Sequence, residues 1–175
     1  MADFEQAVKL ILKHEGGWVH HEADPGGATN RGIILSLFKQ YAKALELEPT
    51  VEALKNLTED QAKFIYREHF WDKMRGDEIH SQPVAEIIFD AYVNMGGRAL
   101  KLLQIELGVG IDGEVGPVTL AAINQAAPVI LFEQFKDART DYYQRLAENK
   151  PTMKVFLKGW LNRVNSFNYH NYQNV

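Results

Sequence analysis

Apolar residues recur every three or four positions along most of this chain, the period of amphipathic helices rather than of strands. Phe4, Val8 and Ile11, with Leu12 beside them, draw one stripe and predict a helix over 3–15. The stripe stops at Gly16-Gly17, and residues 16–32 form a polar, glycine-rich segment that reads as a loop with a small hairpin. Ser36 is placed to cap a helix through Tyr41-Ala42-Lys43, and a short helix around 50–56 follows Pro49. Thr58 and Gln61 have the spacing of a capping box for a helix to about Met74, with Phe64, Ile65 and Trp71 on its apolar side. Pro83 suits the first turn of a helix carrying Ile87, Ile88, Ala91, Tyr92 and Met95. Gly96-Gly97 ends or kinks it, and a helical stretch runs from Arg98 to Leu107. After a turn region from Gly108 to Gly116, Pro117 opens a helix to about Ala126. Pro128 opens a longer one to about Ala147, with Leu131, Phe135, Ala138, Tyr142 and Leu146 on one face. Pro151 opens a final helix to about Gly159, and the run from Asn165 to Tyr172 has no assigned role.

No Pro/Ser-rich tract or charge run divides these elements, and the breaks at 96–97 and 108–117 have the length of ordinary connections. The expected architecture is mostly α: one two-lobed, lysozyme-like domain over 1–175 with a glycine-rich loop or hairpin after the first helix. Residues 1–95 would carry the candidate chemistry and 96–170 would pack as a second, helical lobe, with substrate in the cleft between. The region of Trp71 and the helix from Asp90 to Asn94 would supply parts of the far wall.

Composition adds exclusions. A net charge of -4 with mixed signs gives nucleic-acid binding no electrostatic support. With no cysteine, neither a disulfide framework nor a thiolate metal site is possible. His20, His21 and Glu22 are adjacent and do not have the spacing of ligands that converge on one ion. Asp112-Gly113-Glu114 lacks the ligand spacing of a calcium loop and reads as a turn. No metal or cofactor is expected.

Candidate chemistry concentrates at Glu15. It falls on the apolar face of the first helix, at the negative end of the helix dipole, and both features disfavour its charged form. A carboxyl group that keeps its proton near neutral pH is what glycoside cleavage needs as a general acid. Asp24, followed by Pro25-Gly26-Gly27, supplies a second carboxylate within the same segment.

Glu15-Gly16-Gly17-Trp18-Val19 and the stretch from Ala23 to Ile33 resemble the signature of glycoside hydrolase family 108, lysozyme-like N-acetylmuramidases of bacteria and their prophages, sometimes labelled secretion activator proteins. Phe89-Asp90, Val93-Asn94-Met95-Gly96 and Leu103 to Val109 resemble the start of that family's predicted peptidoglycan-binding region. The glycine turn from Ile111 to Thr119 and the stretch from Gly159 to Val164 resemble its middle and its end. Together these motifs span about 160 residues in the family's order.

The resemblance implies a muramidase acting on the β-1,4 bond between N-acetylmuramic acid and N-acetylglucosamine. By position, the family's catalytic Glu falls on Glu15. Likeness to phage-type lysozymes carries the second acid to Asp24 and a water-positioning threonine to Thr29. Glu15 would protonate the glycosidic oxygen. Asp24 would face the positive charge developing on the sugar ring, or deprotonate the attacking water held by Thr29. A carboxylate gap of about 6.5–9.5 Å would give inversion and one of about 5–5.5 Å retention; the likeness to the phage type favours inversion. Trp18 is a candidate for stacking on a sugar. Asn30, Arg31 and Asn94 are candidate substrate contacts; Arg31 is also a candidate ion-pair partner inside the loop, and Asn94 a buried amide that would orient it. The chain departs from the family at His20-His21-Glu22, where Asn-Asp-Pro is common, and at Ile34, where Thr is common. Glu22 is thus a rival to Asp24.

Two other functions compete: a non-catalytic peptidoglycan binder, which would need a damaged acid pair, and a lytic transglycosylase, which needs one Glu and no opposed carboxylate. The expected partner is peptidoglycan glycan strand. The N-terminus has neither the basic region nor the apolar run of a Sec signal or membrane span. The expectation is therefore a cytoplasmic endolysin released to the wall by a separate holin-like protein.

Overall fold

The computed structural model describes residues 1–14, 16–19 and 27–172. The architecture is mostly α, with a small antiparallel hairpin after the first helix, as the sequence predicts. The chain divides into two compact units, Phe4–Asp72 and Lys73–Val175, the second also taking in Met1–Asp3. The division falls before Pro83 rather than at the expected Gly96-Gly97 break.

In the smaller unit, α1 (Phe4–His14) buries Phe4, Ala7, Val8 and Ile11, the stripe read from the sequence. The hairpin pairs β1 (Thr29–Asn30) with β2 (Ile33–Ile34) and runs straight into α2 (Leu35–Tyr41). Leu35 N–H donates to Ala28 C=O at 3.0 Å, so a backbone bond starts this helix and Ser36 is not its cap. Thr50 caps α3 (Val51–Lys55), and Thr58 and Gln61 form the expected capping box of α4 (Glu59–Tyr66). From Arg67 to Trp71 the chain widens into a π-helical turn, with Asp72 N–H donating to Arg67 C=O. The wider turn brings both Phe70 and Trp71 inward. Trp71 is fully buried, with its ring edge-to-face on Phe4 at 5.7 Å, so it is a core residue and unavailable as a sugar-facing wall. Phe64 turns the other way and lies partly exposed against Tyr41. Lys63 reaches Glu5 at 3.1 Å and ties α4 to α1.

The larger unit is built on α5 (Gln82–Met95), buried at every position from Pro83 to Ala91. A helix covered on all sides belongs to a core, and this one packs against α6 (Gly97–Leu107) and α8 (Pro128–Asn149), which is why it leaves the expected N-terminal part. Two acids lie on it. Asp90 is fully buried and accepts from Arg139 Nη2 of α8 at 2.9 Å and from Arg163 Nε of α9 (Lys154–Asn165) at 2.8 Å. The expectation that the helix around Asp90 lines a substrate wall is therefore replaced by a structural ion triad. The buried face of α8 is Leu131, Phe132, Phe135, Arg139, Tyr143 and Ala147. It is rotated from the expected face, because Arg139 can be buried once Asp90 neutralises it. Glu86, one turn before Asp90, accepts from Gln82 Nε2 at 2.7 Å and from the Tyr172 hydroxyl, which docks the final 3-10 turn Tyr169–Tyr172.

Buried Gln104 of α6 organises the glycine turn. Its Nε2 donates to Asp112 Oδ1, Glu114 C=O and Thr119 Oγ1, and its Oε1 accepts from Gly113 N–H at 2.8 Å. Gly113 has φ 85°, in the left-handed region that favours glycine. Asp112 is spent on this turn, as the sequence reading anticipates. Pro117 then opens α7 (Pro117–Gln125).

Two predictions follow from α5. Asp90→Ala leaves two arginines without their shared counter-charge and is expected to cost about 3–5 kcal/mol, read as a lower urea midpoint, while Asp90→Ala with Arg139→Met recovers part of the loss. Burial raises the Glu86 carboxyl above the ordinary range, with the Tyr172 and Gln82 hydrogen bonds opposing the shift. Folding therefore takes up a proton in the window that opens near the ordinary Glu value of about 4.3 and closes at the raised one. The stabilisation linked to this proton is complete below that window and lost as pH rises through it. Glu86→Gln should gain stability relative to the parent as pH is raised towards neutrality; an equal difference at acidic and neutral pH in urea titrations would contradict this.

Candidate active-site segment

Glu15 and Asp24, like His20, His21 and Glu22, lie outside the described residues. The structure does describe the frame around them. α1 ends at His14, directly before Glu15. Val19 and Thr29 exchange two backbone hydrogen bonds, at 2.9 and 2.8 Å. The segment that contains Asp24 thus leaves and returns at one bridge.

The hairpin turn is Arg31-Gly32. Both have positive φ, 51° and 77°, as a two-residue type I′ turn requires. Cross-strand pairing is Thr29 with Ile34 and Asn30 with Ile33. Alternation along a strand then sets two faces. Asn30 and Ile33 point inward and are buried, at 6% and 0% exposure. Thr29 shares the other face with Ile34 and with its bridge partner Val19, which are 42% and 47% exposed. Thr29 itself is half-buried.

The other face anchors the hairpin. Asn30 Nδ2 donates to Leu54 C=O at 2.9 Å and to Lys55 C=O at 3.0 Å, so its amide protons are spent on the open end of α3. Asn30, expected at the substrate, is by this geometry a support. Arg31 Nε donates to Leu57 C=O at 3.2 Å and its guanidinium lies 4.0 Å from Glu59, at the start of α4. Among the described residues its ion-pair partner is thus Glu59 of α4, while the loop carboxylates Glu22 and Asp24 lie outside them. The Arg31 carbonyl accepts from the Tyr66 hydroxyl at 2.8 Å. Tyr66, which sequence reading missed, is a buried aromatic whose only sequence signal is its place on the apolar side of α4.

Trp18 is half-buried, one residue before the bridge. Asn94 was expected as a buried amide; it is exposed near the C-terminal end of α5 and donates to Asp90 C=O of its own helix at 2.7 Å. Its face turns outward because the core side of α5 ends at Ala91. His69 is half-buried, 3.0 Å from the Tyr41 hydroxyl through Nδ1, and His80 is exposed. Among the described residues no cluster of three His, Cys, Asp or Glu could hold a metal ion.

The arrangement supplies an anchored backbone ribbon with Thr29 on its more exposed face. Asn30→Ala removes both bonds to α3 and is expected to lower stability by about 1–3 kcal/mol at unchanged m-value in urea. Asn30→Asp should cost more, since a carboxylate would then face two carbonyl oxygens.

Comparison with known proteins adds the family context. A family model described as Glycosyl hydrolase 108 matches residues 8–96, and one described as Predicted Peptidoglycan domain matches residues 98–165. A solved structure, described as the structure of Brucella abortus SagA, is similar with 34% sequence identity and a TM-score of 0.79, over 94% of this chain and 90% of that one. A search of curated proteins finds no match.

Proposed function

The chain belongs to the glycosyl hydrolase 108 family, and on that premise we propose that it is an N-acetylmuramidase, cutting the β-1,4 bond between N-acetylmuramic acid and N-acetylglucosamine. Its fold is lysozyme-like and mostly α, and its family together with the peptidoglycan-model match makes it a peptidoglycan-acting glycoside hydrolase. The observation that carries this reading is the order Glu15, Asp24, Thr29 inside the matched stretch, with Thr29 bridged to Val19.

In this proposal Glu15 donates its proton to the glycosidic oxygen as the bond breaks. Positive charge grows on the ring carbon, and Asp24 faces it or takes a proton from the attacking water. Thr29 Oγ1 positions that water. Attack by water on the face opposite the leaving group inverts the anomeric carbon. Trp18 stacks on a sugar ring, and Arg31, through its anchoring of the hairpin, holds Thr29 in place. Among the described residues no helix is long and apolar enough to cross a membrane. The prophage endolysin role, with passage to the wall opened by a separate holin-like protein, is part of the same proposal.

Mass analysis of digested peptidoglycan tests the reaction. A reducing muramic acid end supports hydrolysis, an anhydro end would identify a lytic transglycosylase, and no cleavage would leave a binding protein. Glu15→Gln keeps shape and removes the transferable proton; hydrolysis should fall by at least about two orders of magnitude with the fold intact. Asp24→Asn should cost far more turnover than Glu22→Gln, with Thr29→Val between them. An inactive Glu22→Gln beside an active Asp24→Asn would transfer the second role to Glu22.

A further inference from the structure

The end of α8, the 3-10 turn Pro151–Met153 and the start of α9 make a corner that the catalytic reading does not use. It forms an open hollow of about 550 Å³ lined by Gln144, Ala147, Glu148, Pro151, Lys154 and Leu157. That volume is in the range of small-ligand sites. The lining mixes an apolar floor with one amide, one carboxylate and one ammonium group.

Two further observations bear on the occupant. From Gln144 to Trp160 the chain carries four cations, Arg145, Lys150, Lys154 and Lys158, against one carboxylate, Glu148, in a protein of net charge -4. All four are exposed, and none has an ion-pair partner among the described residues. A file of aromatic rings also runs along α9 onto α8. Phe156 is 53% exposed and tilts on Trp160 at 5.8 Å, and Trp160 stacks on Tyr143 at 5.0 Å and 21°. The buried end of this file fixes its exposed end, so Phe156 is presented on a rigid support.

We propose that this corner is a glycan-holding site for peptidoglycan strand, separate in sequence from the 15–34 segment, binding an anionic N-acetylated sugar with its stem carboxylates. The proposal rests on peptidoglycan being the substrate and names where the strand is held. The C–H face of a pyranose ring buries against Phe156, as apolar area against an aromatic face. Gln144 can donate to and accept from an acetamido group, and Lys154 can meet a lactyl or peptide carboxylate. Lys150 and Lys158 extend the positive field that an anionic polymer needs. A lipid surface fits less well. Leu157 lines the hollow, Trp160 stacks on Tyr143 and Val164 is buried, which leaves only Val155 and Phe156 of α9 as large exposed apolar residues.

The test uses the full chain with Glu15→Gln, so that sacculi are bound and not consumed. Co-sedimentation with purified peptidoglycan sacculi is measured for this parent and for the added changes Phe156→Ala, Lys154→Glu with Lys158→Glu, and Ile130→Ser as an exposed apolar control on α8. Phe156→Ala should weaken sacculus binding roughly five- to tenfold, the size expected for losing one stacked ring. The charge reversal should weaken it more at low salt than at high salt, and Ile130→Ser should bind as the parent does. Circular dichroism confirms that each variant is folded. Parent-like binding by both site variants overturns the proposal. So does a loss confined to anionic phosphatidylglycerol vesicles, or to self-association in sedimentation equilibrium, with sacculus binding retained. Turnover of short soluble peptidoglycan fragments by the protein with Glu15 intact is scored separately: its absence defeats the muramidase reading and leaves the binding result to stand or fall alone.

Discussion

One carboxylate organises the larger unit. Asp90 sits on a helix with no solvent-facing side through its middle and divides its two oxygens between Arg139 of α8 and Arg163 of α9. Burying these charges has a desolvation cost that the ion pairs offset only with good geometry, and Arg139 Nε and Nη1 have no acceptor among the described residues. The triad is better understood as a constraint on arrangement than as a large net source of stability. Apolar contacts alone tolerate sliding and rotation of packed helices, whereas two oxygens facing two guanidinium groups admit few registers. α8 and α9 are consequently set against α5 in one way. The α8–α9 corner, with its aromatic file, inherits that rigidity.

The smaller unit meets a similar demand with hydrogen bonds in place of charges. A two-residue hairpin is marginal alone. Here Asn30 closes the end of α3, Arg31 reaches the start of α4, and Tyr66 holds the turn carbonyl. Anchorage to two helices for so short a ribbon makes sense if its open face must stay in position. Catalysis by positioned groups loses rate steeply when supports loosen. Asn30 and Arg31, which resemble substrate contacts by sequence proximity, are thus engaged in anchoring the hairpin that carries Thr29.

Much of this was legible in the chain. The stripe of α1, the capping box at Thr58 and Gln61, and the prolines at 83, 117 and 128 mark helices whose local signals and packing agree. The glycine-rich segment foretold the hairpin, because Arg31-Gly32 needs positive φ twice. Burial was harder. The region of Trp71 reads as part of a cleft wall, but Trp71 itself, on the apolar side of its helix, is carried by the π-helical turn into the core. Asn94 reads as a core amide because its neighbours are apolar, yet it falls one turn past the last buried residue of α5. Arg139 was hidden for the opposite reason: a charged residue is assigned to solvent unless its counter-charge is known, and Asp90 lies 49 positions away. Periodicity reports local geometry, and such pairings are not local.

The two family-model matches meet between residues 96 and 98, but the physical units meet at 72 and 73. The triad explains the mismatch. Asp90 belongs to the stretch matched by the hydrolase model, and both of its arginines belong to the stretch matched by the peptidoglycan model. α6 and α8 pack against α5, and α9 and the final 3-10 turn reach its two buried acids. A chain ending near 96 would expose that helix and leave a buried acid without partners, so the hydrolase stretch is not a self-sufficient folding unit. The peptidoglycan stretch is then more than an appended module. It completes the core around the helix that ends the hydrolase stretch, and any surface it offers to the wall is presented from that shared core.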